Sequence, residues 1–420
     1  MNRHLLIVYP HWPPSNLAGM HRARLVANGA RDCGWDVTVI AVQPDHYEES
    51  LDPEMEGLVR EGIEVVFTAA SPVLHVAGMR LIGDIGLRGF RRIRAAAQHW
   101  LEHHHTDFIW FPIPSWYTPL MAPRLSRKFR TPYGVDYIDP WVYQLTEHEP
   151  MFSRAWWTRK AALILEPRAI RKAALISGVA EEYFAPALRR NFTLEETPVT
   201  VSFPYGFDPE DHKKEPIKSV YPFDPEVGRY IFYAGAFLPH SEPFARQLLA
   251  AVESLVKAGS WPADLRLRFV GTGRRPGPSI ADLAEAMGLG GIVCEHPERI
   301  PFLSVQSLLR KAQASLVLGS TEAHYTASKT FQCLLAGNPI ISILHQDSSA
   351  LTFIQSCKAD QYSIGWHPSM EDISADIEQA LLNCIQSDSQ DWNPDLQPLN
   401  QHTSTQGTRL LLEAIESLTR

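Results

Sequence analysis

One pattern constrains this chain more than any other. Short apolar runs alternate with segments of helical period, and the alternation starts over halfway along. "LLIVYP" reads as a strand, "MHRARLVANGARDCG" as a helix closed by Gly34, and "WDVTVIAV" as the next strand. Near-continuous apolar runs joined by helices belong to parallel sheets covered on both faces. "IEVVFTA", "DFIWFPI", "PYGVDYID", "ALISGV" and "VTVSFPYGF" carry the strands onward, with "LRGFRRIRAAAQHWLEHH" and "YTPLMAPRLSRKF" as helices between them. The second series runs "YIFYAGAF", "DLRLRFVGTG", "GIVCEH", "ASLVLGS" and "PIISIL", with helices at "PFARQLLAAVESLVKAG", "IADLAEAMGL" and "FLSVQSLLRKAQ". The Pro-, Gly- and charge-rich stretch "FPYGFDPEDHKKEP" separates the two series. The expected fold is α/β: two doubly wound Rossmann-like domains facing across a cleft. The first covers residues 1–205 and the second 206–400. A last amphipathic helix, "TRLLLEAIESLTR" within 401–420, is expected to pack back on the first domain.

Composition narrows the function. The formal net charge is -8 over 420 residues, which argues against nucleic acid as a partner. Five scattered cysteines form no CxxC, so neither a disulfide framework nor a zinc site is expected. No apolar run approaches the ~20 residues that a bilayer-spanning helix needs. The opening "MNRHLLIVYPHWPP" is too short in apolar residues for a secretory leader. The expected location is cytoplasmic. His103, His104 and His105 follow a basic amphipathic helix and read as a solvated helix end rather than a metal centre.

Residues 325–343, "YTASKTFQCLLAGNPIISI", hold the most chemistry. Thr326 is a suitable N-cap, placing Ala327, Ser328 and Lys329 in the first turn. Phe331, Leu334 and Leu335 recur at core-facing spacing, Gly337 ends the helix and Pro339 blocks its extension. Free backbone N–H groups at such a start suit a phosphate, and Ser328 and Lys329 add a donor and a charge.

The order of these segments resembles the GT-B-fold retaining glycosyltransferases of the family 4 kind. "YPHWPPSNLAGMHRARLVANGARDCGWDVTVIAV" is similar to the family's opening, "FPYGFDP" to its interdomain segment, and "YAGAF" and "LRFVGTG" to the first strands of its second domain. "SKTFQCLLAGNPII" is similar to its donor-binding helix. The resemblance implies sugar transfer from a nucleoside diphosphate sugar to an acceptor hydroxyl with retention. It implies polysaccharide or glycoconjugate synthesis, with no cofactor and no metal. The acceptor would be a glycan, a lipid-linked sugar or a small molecule.

The same resemblance assigns roles. Asp139, Arg22 and Lys329 are the expected catalytic residues. Gly19, Arg24, His240, Thr326, Ala327 and Ser328 are expected around the donor diphosphate. Gly235, Gly271, Gly273, Glu322, His324 and Gln332 are expected around the nucleotide. The family's two glutamates fall here on His324 and Gln332, with Glu322 close enough to take the first role. Its two cations after the first strand of the second domain fall on Ala236 and Ser241, with His240 nearby. These departures keep a second expectation open: a catalytically inactive nucleotide- or sugar-binding protein of the same fold. A dinucleotide oxidoreductase needs GxGxxG after the first strand, where "HWPPSNLAG" stands instead.

Two basic segments point to a further partner. "RLIGDIGLRGFRRIRAAAQHW" carries Arg80, Arg88, Arg91, Arg92 and Arg94, and "FSRAWWTRKAALILEPRAIRKAA" adds two tryptophans and six cations. Such helices suit peripheral contact with the inner face of an anionic membrane, or amphipathic packing with snorkelling arginines.

Overall fold

The structure is a computed structural model of the chain. It describes residues 2–76, 79–143, 145, 150–193, 197–274, 277–323, 329–387 and 392–418, with 75–76 and 79–82 described by backbone alone. The chain forms two compact units: 1–208 with 402–420, and 209–401.

The first unit contains β1 (His4–Val8), α1 (Ala18–Asp32), β2 (Asp36–Val42), β3 (Ile63–Thr68), β4 (Leu74–Val76), β5 (Met79–Ile82), α2 (Ile85–His103), β6 (Phe108–Ile113), α3 (Ala122–Phe129), β7 (Tyr133–Tyr137), α4 (Arg154–Ile170), β8 (Leu175–Gly178), α5 (Glu181–Asn191) and β9 (Val199–Ser202). Seven of these strands form one parallel sheet in the order β3-β2-β1-β6-β7-β8-β9, and β4 and β5 make a separate antiparallel pair. Leu5, Leu6, Ile7 and Val8 are fully buried, because β1 lies mid-sheet with helices on both faces. That is why its apolar run does not alternate.

The second unit contains β10 (Arg229–Ala234), α6 (Glu242–Lys257), β11 (Leu265–Val270), α7 (Ile280–Ala286), β12 (Val293–His296), α8 (Phe302–Lys311), β13 (Ala314–Leu318), α9 (Thr330–Leu335), β14 (Ile340–His345), α10 (Ser349–Ser356), β15 (Tyr362–Trp366) and α11 (Ser374–Gln386). Its parallel sheet has the order β12-β11-β10-β13-β14-β15. No helix among the described residues is long and apolar enough to cross a membrane.

The last helix, α12 (Ser404–Ser417), packs on α1 and β9. It starts earlier than the apolar pattern suggests. Thr403 accepts a hydrogen bond from the Gln406 backbone, so the polar "STQG" forms the first turn. The close crossing explains Gly29, where a β-carbon would lie 2.5 Å from Thr408 Oγ1.

α1 is polar where it should be apolar. Arg22, Arg24 and Asn28 are all buried on it. Arg22 donates from Nε and Nη2 to the two oxygens of Asp136 on β7, at 3.1 and 3.0 Å. Its Nη1 donates to the carbonyls of Phe203 and Pro204. Asp136 also accepts from Ser177 on β8, at 2.6 Å, and Ser177 from Trp110 on β6. A buried pair this fully hydrogen-bonded holds together, but removing one partner strands a charge. Replacing Asp136 by Ala is expected to cost about 3–5 kcal/mol, and the double exchange Arg22→Met with Asp136→Leu distinctly less. The check is the denaturant midpoint of the N-terminal unit.

Candidate active site

In an open parallel sheet, ligands bind beyond the carboxyl ends of the strands, where the strand order reverses. In the second unit that place lies between β10 and β13. Gly235 follows β10 with φ +146°, a backbone conformation that only glycine adopts with ease, and its N–H donates to the Val270 carbonyl. His240 and Thr321 meet across the same gap: the Thr321 N–H donates to the His240 carbonyl at 3.1 Å. Glu322 follows, its backbone N–H held by Ser320 Oγ. The Lys329 side chain lies over Gly235, close enough that a β-carbon there would touch its Cγ and Cε at 3.8 Å. Four of the expected site residues, Gly235, His240, Glu322 and Lys329, therefore lie around one crevice of the sheet.

Lys329 carries a lowered pKa, from burial first and then from the like charge of Arg299. The residue as a whole keeps exposed surface, while its ammonium lies where burial disfavours the charge. Arg299 follows β12 and has no counterpart among the sequence expectations. Its fold-made proximity to Lys329 puts two cations on the carboxyl side of the sheet.

Gly271 and Gly273 end β11 in the left-handed conformation, at φ +75° and +73°. No atom crowds the place of a β-carbon at either glycine. Their turn is braced, since Thr272 donates to Glu295 at 2.6 Å and Glu295 also accepts from the Ala281 backbone. Gln332 lies on α9, with Oε1 buried and without a hydrogen-bond partner among the described residues. α9 is shorter than the sequence suggests. It begins at Thr330 with Lys329 in the capping position, and Gly337 closes it at φ +82°. Thr326, Ala327, Ser328 and His324 lie outside the described residues.

In the first unit the order reverses between β1 and β6. Gly19 packs there against the hydroxyl of the buried Tyr9 and against Pro114. The space that glycine leaves is thus filled by a tyrosine. Arg22 and Arg24 follow on α1, but both point into the core. Four of the five N–H groups of Arg22 go to Asp136, Phe203 and Pro204, and Arg24 donates to the Leu58 carbonyl. Arg22 is covered by the 203–204 segment, from far along the chain, and α12 packs on the same helix. Asp139 lies just beyond β7 and keeps exposed surface, while burial raises its pKa.

Sequence reading missed much of what surrounds Asp139. The pKa of Tyr9 is pushed far up by burial, with Tyr205, Asp84, Glu49 and Asp139 adding to it, which gathers these groups at one end of the sheet. Asp84 caps α2 by accepting from the Leu87 N–H at 2.8 Å, and burial raises its pKa. Glu49 accepts from His11 at 2.9 Å and from Ser15 at 2.6 Å. The visible signals were small: His11 stands three residues beyond the first strand, and Asp84 just before a helix.

One grouping of possible metal ligands occurs among the described residues: His99, Glu102 and His103 on α2, all exposed. Glu102 is ion-paired with Lys128 at 2.7 Å, and His103 Nδ1 is hydrogen-bonded to the His99 carbonyl. His104 stacks on Trp100 at 3.8 Å.

The two sheets, each doubly wound and parallel, define the GT-B class of fold. Neither the scan of protein-family models nor the search of curated proteins finds a match. Solved structures do match, along the whole chain. A UDP-forming α,α-trehalose-phosphate synthase from Burkholderia xenovorans aligns with TM-score 0.61 at 13% identity, covering 100% of both chains. HepE from Anabaena, in complex with UDP and glucose, gives 0.57 at 13%, covering 99% of this chain and 97% of that one. A trehalose-6-phosphate synthase studied for glycosyl transfer with retention gives 0.61 at 14%, covering 98% and 99%. At such identities the fold is what the chains share.

Burial would raise the pKa of Glu49, but the His11 and Ser15 hydrogen bonds and the His11 charge outweigh it and hold the carboxyl at about 2. A carboxylate depressed in the folded state stabilises above its unfolded pKa and loses that stabilisation as pH falls through the folded one. Stability is therefore expected to fall between pH ~4.5 and ~2, by under about 2 kcal/mol because the pair is partly solvated. Glu49→Gln should flatten that part of the curve, read as melting temperature against pH.

Proposed function

We propose that this protein is a retaining glycosyltransferase. It would move a sugar from a nucleoside diphosphate sugar to an acceptor hydroxyl, in the cytoplasm, without a metal. The carrying observation is the crevice at the carboxyl end of the second sheet, where Gly235, His240, Glu322 and Lys329 lie around the strand-order reversal. Two of the compared structures support a uridine diphosphate, since their descriptions name UDP, and the third supports retention, which its description names.

The chemistry suits these residues. As the bond from the anomeric carbon to the β-phosphate oxygen breaks, charge grows on the diphosphate. Cations and N–H donors already in place lower that barrier. Lys329 and Arg299 would face the phosphates, replacing the cations that Ala236 and Ser241 do not supply. Backbone at Gly235 and Gly271–Gly273 would approach the nucleotide, and Glu322 and Gln332 its ribose. The acceptor oxygen forms the new bond to the anomeric carbon, and its proton passes to the departing phosphate or to Asp139. Arg22 would act through position, fixing β7 and so the strand end that carries Asp139. The acceptor would be a glycan, a lipid-linked sugar or a small molecule that the His11, Asp84 and Asp139 region holds.

A second reading, a nucleotide or sugar binder without turnover, is favoured by Ala236 and Ser241. Thermal shift with UDP, GDP, ADP and dTDP tests the site first. One preferred diphosphate should raise the melting temperature, and no response to any would sink both readings. Transfer from a panel of UDP-sugars, with the product's anomeric configuration read by NMR, then separates them.

Lys329→Ala is expected to lower kcat/KM by roughly 10²–10³ without unfolding the chain. Burial raises the pKa of Asp139 above its ordinary value. The acid limb of the rate profile should lie there, and Asp139→Asn should abolish that limb.

A further inference from the structure

The helices α2, α3, α4 and α5 lie on one face of the first sheet. Each joins strands in the same direction across it, and right-handed crossovers put such helices on a common side. Contacts of α2 with α3, α3 with α4 and α4 with α5 agree. The four helices hold thirteen lysines and arginines (four on α2, three on α3, four on α4, two on α5) against four glutamates. The chain as a whole carries net charge -8, so this face reverses the sign of the protein.

α4 concentrates the effect. Ser153 caps it, and its inner face buries Ala162, Glu166, Ala169 and Ile170. Its outer face repeats at helical spacing through Arg154, Trp157, Ala161, Ile164 and Arg168. Trp157 and Ile164 are each 57% exposed, and Met151 and Phe152 just before the helix are 71% and 64% exposed. Phe152, Trp156 and Trp157 form one aromatic cluster, with Lys160 Nζ 5.2 Å from the Trp156 ring. From 150 to 172 there are six cations and one acid, Glu166, which is buried and paired with Arg190 at 2.8 Å. Arg154, Lys160, Arg168, Arg171 and Lys172 pair with no carboxylate among the described residues. Glu147 and Glu149, which precede this stretch, lie outside them.

We propose that this face docks on an anionic lipid bilayer. Met151, Phe152, Trp157 and Ile164 enter the boundary between headgroups and acyl chains, and the surrounding cations meet the lipid phosphates. Large apolar side chains ringed by cations on one helix face fit that surface. A soluble polyanion would use the cations and leave the apolar groups in water. The inference is independent of the transferase reading.

The test is flotation of the full chain with phosphatidylcholine vesicles, with and without phosphatidylglycerol. Binding is expected only with phosphatidylglycerol, and high salt should weaken it. Trp157→Ala with Ile164→Ala, and separately Arg168→Glu with Arg171→Glu, should each lower the bound fraction about tenfold. All four side chains are exposed, so melting temperature and nucleotide response should stay as in the parent. No binding to either vesicle overturns the proposal. So does binding that both variants leave unchanged. Heparin competing fully, with the apolar variant binding like the parent, would assign the face to a polyanion instead.

Discussion

One guanidinium organises the first unit. Arg22 reaches from α1 to Asp136 on β7 and to two carbonyls, at 203 and 204, just after the last strand of the sheet. Its plane also lies 3.8 Å from the centre of the Phe203 ring. The forked geometry of arginine makes this possible, since a lysine could not serve a carboxylate side-on and two carbonyls at once. Nearby, Asp208 accepts from Asn28 and Arg60, so α1 also holds the chain at the edge of the first unit. The position of the β7 end, just before Asp139, follows from these contacts.

The two units solve one problem in different ways. Each sheet reverses its strand order and so leaves a crevice. In the second unit the crevice is edged by Gly235 with the Lys329 side chain over it and Arg299 acting on that lysine, while Gly271 and Gly273 leave open space after β11. In the first unit Tyr9 fills the space above Gly19, and burial raises the pKa values of Tyr9, Asp84 and Asp139 while His11 and Ser15 hold Glu49 low.

Much of this was legible in the order of residues. Strands buried on both faces announce themselves as unbroken apolar runs, so β1, β2, β10, β11, β13 and β14 could all be drawn. α5 could not, because Pro186 stands inside it, and β15 mixes Ser and Gly into a strand at the sheet edge. The glycines after β10 and β11 were readable because a glycine following a strand signals a turn. Arg22 was not readable as an interior residue, since the groups that bury it come 114 to 182 positions later. Arg299 was hidden for the same reason: only the fold brings it near Lys329.

The return of the chain to its first unit has a consequence for synthesis. On the ribosome, residues 209–401 emerge before α12 does, although α12 completes the unit that emerged first. Until α12 emerges, the groove beside Gly29 and the ring of Phe203, which Gly407 later covers, face water. The first unit therefore waits unfinished while the second can already fold, and a nascent chain that stalls before α12 presents chaperones with that uncovered strip.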